Sequence, residues 1–508
     1  MREITCPYCF SVFPHNAVHF RSERVSVGVN PFVPEDYDDF EEFKQNCKDK
    51  SSAAYRNSEE WEFFREGNGD DRYKHFWDRH GGTTTEEISQ QRASYRRRVL
   101  DPTNPEHQRF LKVQNDSPDF QRYLYMVEDF ATSITLTSGE ICTQRVCPVC
   151  HNPLPNQYGK HESRFIAVIG VTGAGKTVYL SQLVYGFDDY VVKVGLAALQ
   201  TTDSPLKFLR KNPVNTKVPL PGSTPPGSFL QPLFYDLSRL DEYGKTKVYT
   251  LVIYDVAGEN CDMQKMHSWF APFIEHMDGV FLLIDPLQFK VIKMLTSEEE
   301  AEAKGKPMTV LNAIHNTLTG GKSGKCEIPL AVCISKSDMQ DVRDVLDEEL
   351  NDMLMDDVEP VFSPSGSLLP QFNAKQYNPI AVKLHDFIKE NEMALETFIN
   401  VNYSCYNYFA FTSLGCGVEN NIPEGPIIPK RIEEPLLWLL NRFGFVGENE
   451  KVVGYGDTCP VCGCEGKRRR LFGDDRIVVT KKNLFGKPKE WEEYDYYCEG
   501  CNNYYNLD

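Results

Sequence analysis

The apolar positions of this chain gather into short, nearly unbroken runs. "RFIAVIG" (164–170), "KVYTLVIYDV" (247–256), "GVFLLIDP" (279–286), "IPLAVCISKSD" (328–338) and "YNYFAFTS" (406–413) each read as a buried strand that ends in polar residues. Runs of this kind suit parallel strands covered on both faces. Helical stretches alternate with them, which predicts an α/β unit over residues 161–446 with a mostly parallel sheet and helices on both faces. The helix "RIEEPLLWLLNRFG" closes that unit, with Gly444 as its C-cap. The pattern differs on either side. Residues 31 to about 125 are polar, charged and aromatic, with "PEDYDDFEEF" and "RASYRRRVL" as opposed charge runs and weak periodicity. They predict a mostly helical insertion (about 10–146) within a first segment, 1–160. Residues 452–508 form a separate small module.

The sharpest local signal sits where the first apolar run ends. "GVTGAGKT" (170–177) has the spacing G-x-x-x-x-G-K-T, with a strand before it and a helix-like run after it. That is the context a P-loop requires. Glycines let the backbone wrap a polyphosphate closely, and the loop amides and helix N-terminus point positive charge at it. Gly170, Thr172, Gly173, Ala174, Gly175 and Val178 are the candidate loop contacts. Lys176 would reach the β and γ oxygens, and Thr177 would ligate Mg²⁺.

Ligands of open α/β sheets sit beyond the carboxyl ends of the strands, so the strand ends identify the nucleotide. "TLVIYD" ends in Asp255-Val-Ala-Gly258-Glu259. An acidic residue there is the Walker-B partner that holds Mg²⁺, and Gly258 can offer its N–H to a γ-phosphate. "CISKSD" ends in Asp338, whose carboxylate accepts two hydrogen bonds from the guanine edge, and Lys336 would lie along the base and ribose. "AFTSLG" (410–415) supplies a turn whose N–H groups reach the guanine O6, with Ser413 and Leu414 as the contacts.

With these motifs in order, the chain resembles the TRAFAC-class GTPases, and more narrowly the bacterial double-GTPase type, which couples such a domain to zinc-ribbon cysteine pairs. The resemblance covers about 160–446 and implies a Ras-like fold, bound GTP or GDP, Mg²⁺ and a protein effector or partner GTPase. The family's N-K-x-D or T-K-x-D appears as Ser335-Lys336-Ser337-Asp338, and its S-A-x as Thr412-Ser413-Leu414. Glu259 stands where a water-orienting Gln is common; its charge near the γ-phosphate implies slow hydrolysis. The family's switch threonine has four candidates, Thr201, Thr202, Thr216 and Thr224. Thr224 is preferred, because "LPGSTPPGS" immediately precedes "FLQPLFYDL", the strand expected to pair with "KVYTLVIYD". An ATPase and a zinc-ribbon scaffold that binds nucleotide for stability are the alternatives.

Composition bounds this picture. The 508 residues are 41% hydrophobic, enough for roughly two to four domains with sizeable cores. The net charge of −18 argues against a nucleic-acid coat. No apolar run follows "MREITCPYC" and none approaches a membrane span, so a cytoplasmic protein without a leader is expected. In a reducing compartment the 16 cysteines are metal ligands or buried thiols. Cys459/Cys462 and Cys498/Cys501 are two C-x-x-C pairs that can share one Zn²⁺, with Cys464 competing for the role of Cys462. The pairs Cys6/Cys9 and Cys147/Cys150 are each half a site. They are expected to join across the insertion into a second Zn²⁺ site, the alternative being a local site of Cys142, Cys147, Cys150 and His151 or His161.

Overall fold

In the computed structural model the described residues are 3–65, 69–80, 96–170, 173–222, 231–241, 244–256, 270–293, 307–321, 324–456, 459, 468–471, 476–482, 488–498 and 501–506. They divide into two compact units, Met1–His161 and Glu162–Asp508.

The second unit is built on an eight-stranded sheet. Its order is Ala197–Gln200, Leu233–Leu240, Thr246–Asp255, Glu162–Gly170, Gly279–Ile284, Leu330–Ile334, Cys405–Ala410 and Tyr455–Gly456. The five strands from Thr246–Asp255 to Cys405–Ala410 are mutually parallel. The edges are antiparallel. The expected pairing of "FYDL" with "KVYTLVIYD" is present, Leu233 facing Ile253. The three strands on the far side are buried at every position. Successive side chains point to opposite faces, so burial at every position means cover on both faces. Helix Lys176–Tyr185 supplies part of that cover: Tyr179 stacks on Phe411 with ring centroids 4.5 Å apart. Helix Glu434–Arg442 supplies another part. It packs so closely on the sheet that a Cβ on Gly279 would lie 2.8 Å from Leu439. The chain leaves strand Glu162–Gly170 for neighbours on one side and later fills the other side. This strand is therefore the topological switch point, where open α/β sheets bind ligands.

In the first unit, strands Glu3–Thr5 and Val12–Pro14 form a hairpin around the first cysteine pair. Strand Gln144–Val146 leads into the second pair and joins His19–Arg21 and Val99–Leu100 in a three-stranded sheet. Between them lie helices Phe40–Asn46, Ala53–Phe63 and Asp71–His80. Strands Leu124–Val127, Phe130–Thr135 and Ile141–Cys142 follow. The segment thus mixes helix and strand where a mostly helical insertion was expected. The cause is local. Glu128 and Asp129 both take positive φ (50° and 63°) and form a two-residue hairpin turn between Val127 and Phe130.

Candidate functional site

Strand Glu162–Gly170 delivers its last residue against the neighbouring strand: a Cβ on Gly170 would lie 2.3 Å from the Leu283 carbonyl oxygen. Gly173 and Gly175 then take φ of 84° and 77°, the left-handed region that favours glycine. Gly175 starts helix Lys176–Tyr185 and supplies no side-chain cap, so the first amides of that helix face outward for an anion. Lys176 and Thr177 are buried, and Ala174 is fully so. The Lys176 ammonium donates to the Gly170 carbonyl at 2.9 Å. Thr177 Oγ1 donates to Asp255 Oδ2 at 3.1 Å, across 78 positions of sequence. A hydroxyl and a carboxylate converge beside a phosphate loop, and these are the hard oxygen donors Mg²⁺ takes.

The Ser335–Asp338 turn, expected to read the base, follows strand Leu330–Ile334. Ser335 donates from both its amide and its hydroxyl to the Ile284 carbonyl, each at 3.1 Å. Lys336 has φ 56°, and its ammonium lies 3.0 Å from Asp285 Oδ2. Ser337 is buried, and its amide donates to the Phe411 carbonyl at 3.2 Å. Asp338 is half-buried at the end of the turn. In the last turn Thr412 Oγ1 accepts from Gly415 N at 3.2 Å, and Ser413 and Leu414 are half-buried between them. Asp285 is the partner that sequence reasoning missed. Its trace in the sequence is an acid that ends the apolar run "GVFLLID"; strand pairing, Ile284 against Ile334, is what brings it beside the Ser335–Asp338 turn.

Thr172, Thr224, Gly258 and Glu259 lie outside the described residues, as do Cys462 and Cys464. Among the other threonine candidates, Thr202 Oγ1 is 2.7 Å from Ser204 Oγ.

The cysteines of the first unit meet. Cys6, Cys9, Cys147 and Cys150 present sulfurs within 4.8 Å of one another. Cys6–Cys150 and Cys9–Cys147 are each 3.7 Å apart. A tetrahedral Zn²⁺ with Zn–S of about 2.3 Å sets S···S at about 3.8 Å, so this set fits. Both pairs use the same backbone knuckle. Phe10 and His151 take φ of 58° and 55°, and their amides donate to the Cys6 and Cys147 carbonyls at 3.0 Å. Backbone amides of Tyr8 and Val149 donate to the sulfurs of Cys6 and Cys147. Without a cation, burial pushes the Cys6 and Cys150 thiols well up; a bound metal would reverse that and hold thiolates. Cys142 and His161 are not members of the cluster, so the local alternative loses its set. In the second unit Cys459, Cys498 and Cys501 form a three-sulfur group, Cys459 and Cys501 3.9 Å apart. Asn502 repeats the knuckle with φ 58° and an amide bond of 2.8 Å to the Cys498 carbonyl.

The second knuckle is also tied to the helix Asp71–His80. Asp70 Oδ1 lies 2.6 Å from His151 Nδ1, and Asp70 Oδ2 accepts from buried Arg21 at 2.8 Å. Trp77 Nε1 donates to Asn152 Oδ1 at 3.0 Å, and Asn152 Nδ2 reaches the Cys150 sulfur at 3.3 Å.

Residues 164–382 match the family model Double-GTPase 2. The resemblance drawn from the motifs is thereby borne out over this region, which contains the P-loop, Asp255 and the Ser335–Asp338 turn. A Mycolicibacterium smegmatis protein whose name assigns it to ESX-1 scaffolding and assembly, SaeC, is 29% identical over 212 residues, 39% of this chain and 53% of that protein. The chain thus spans about half the length of this relative. Among solved structures, sup35 complexed with GDP gives 11% identity and a TM-score of 0.19, covering 53% of this chain and 43% of that one. The GTPase-like domain of S. cerevisiae Ski7 bound to GTP gives 12% identity and a TM-score of 0.24, covering 55% and 50%. At such TM-scores the fold class stands on the strand order and the P-loop geometry. Among the described residues no helix is long and apolar enough to cross a membrane.

Proposed function

We propose that the chain is a GTP-binding, slowly hydrolysing switch that presents zinc-ribbon modules to a protein partner. The observation that carries this reading is the convergence of Lys176, Thr177 and Asp255 at the sheet's switch point. In it the loop amides and Lys176 hold the β and γ phosphates. Thr177, and Asp255 through water, hold Mg²⁺, which neutralises phosphate charge. Gly258 and Thr224 sense the γ-phosphate, Glu259 orients the attacking water, and Asp338 selects guanine, with Ser413 and Leu414 closing on the base. Zn²⁺ bound by Cys6, Cys9, Cys147 and Cys150, and by Cys459, Cys498, Cys501 and Cys462, shapes the two modules. Thiolate ligation suits a reducing cytoplasm.

A γ-phosphate that contacts both Thr224 and Gly258 would order the loop that carries Thr224, and hydrolysis would release it. Amide exchange over residues 201–228 should therefore be slower with a non-hydrolysable GTP analogue than with GDP, and Thr224→Ala should erase the difference. Equal exchange with both nucleotides would overturn the switch. A second reading then takes over, favoured by the scaffolding name of the relative: nucleotide as a structural ligand of an assembly protein.

A further inference from the structure

Asp285 ends strand Gly279–Ile284, directly beside the strand that carries the base-reading turn, Ile284 facing Ile334 in register. Its residue is fully buried. One carboxylate oxygen caps the following turn by accepting from Leu287 N at 3.2 Å; the other accepts from the Lys336 ammonium at 3.0 Å. The Lys336 side chain is 31% exposed, while that of Asp285 is fully buried. Its φ of 56° lies in the left-handed region, which a lysine holds only where its surroundings impose it. The turn is thus gripped at three points: Ser335 on the Ile284 carbonyl, Lys336 on Asp285, and Ser337 on the Phe411 carbonyl. Asp338 is the next residue.

We propose that Asp285 is a positioning residue of the base site: it fixes Lys336, and through it the turn that aims Asp338 at guanine. This rests on the guanine reading above. A lysine side chain is long and freely rotating, and holding it before the ligand arrives removes an ordering cost from binding. A buried carboxylate keeps its cation in place because leaving it unpaired is costly. The motif here has Ser335 where the resembling family has Asn or Thr. Its hydroxyl is spent on the Ile284 carbonyl, so the strand end Ile284–Asp285 acts as the floor of the turn.

The test is a double-mutant cycle on the full chain, read as dissociation constants of labelled GDP and ADP. Asp285→Asn keeps the shape and the Leu287 cap but removes the charge. It should weaken GDP about ten-fold, about 1.4 kcal/mol, and leave ADP within about two-fold, so the GDP:ADP preference falls by the same factor. In a Lys336→Gln background, where the ion pair is already gone, Asp285→Asn should have no further effect. An unchanged GDP:ADP ratio in Asp285→Asn, or the same drop in the Lys336→Gln background, would overturn the positioning role while leaving the guanine site standing. Equal GDP and ADP affinity in the unaltered protein would overturn the guanine reading itself, and the positioning role with it.

Discussion

Cys6 Sγ lies 3.7 Å from Cys150 Sγ, although 144 positions separate them in sequence. The whole insertion leaves and returns between the two halves of one four-cysteine cluster. Closing so long a loop costs little more than closing a short one, because the entropy grows with the logarithm of length. The site should therefore behave as one unit. Cys6→Ser and Cys147→Ser should each remove the same one equivalent of zinc, measured by elemental analysis, from a total of about two per chain. Zinc lost from Cys147→Ser but kept in Cys6→Ser would contradict a shared site.

The same knuckle holds helix Asp71–His80 through Asp70 and Trp77. Chelating the metal should raise amide exchange across residues 70–80. Exchange that stays unchanged after zinc loss would separate the two. Asp70 and Arg21 are both 2% exposed at their side chains, and removing one member of a buried pair strands the other. Asp70→Ala should cost about 3–5 kcal/mol in denaturant unfolding.

Two P-loop glycines should differ in mechanism when changed to alanine. At Gly170 the new Cβ meets the Leu283 carbonyl at 2.3 Å, a clash with backbone that cannot swing away. Gly170→Ala should lose about 1–3 kcal/mol of stability even without nucleotide. At Gly175 there is open space, but φ is 77°. The cost there is conformational, about 1–2 kcal/mol. Thermal unfolding of the nucleotide-free variants checks both.

The P-loop turn and the central strands were legible because their signals are local. Gly170, Gly175, Lys176 and Thr177 specify the P-loop within eight residues, and unbroken apolar runs marked the central strands. The pairing of "FLQPLFYDL" with "KVYTLVIYD" was legible too, whereas the order of the sheet and the register of its strands come from the structure. Asp285 was not legible, because its meaning depends on which strand lies next to it and on a left-handed turn at Lys336. The hairpin at Glu128-Asp129 escaped for a related reason: two acidic residues occupy positive φ, where Asn-Gly is the usual signal. The Asp70–His151 and Trp77–Asn152 contacts join residues more than seventy positions apart, with no motif to announce them.

Thr177 and Asp255 give the Mg²⁺ prediction. Thr177→Ala and Asp255→Asn each remove one oxygen-donor function from the pair. GTP affinity should then lose most of its Mg²⁺ dependence, while Lys176→Ala weakens GTP and GDP alike, by ten-fold or more, about 1.4 kcal/mol. Titration of labelled nucleotide with and without Mg²⁺ reads both effects. Full Mg²⁺ dependence in both Thr177→Ala and Asp255→Asn would remove them from the metal site.

Guanine selection by Asp338 is the centre of the account, and competition binding tests it most directly. Labelled GDP on the unaltered chain is displaced with increasing GDP, ADP or xanthosine diphosphate. GDP should compete at least ten-fold better than ADP, about 1.4 kcal/mol. Asp338→Asn should shift the preference toward xanthosine diphosphate, because the amide can donate to the second carbonyl of xanthine. Equal competition by ADP and GDP on the unaltered protein would contradict the account.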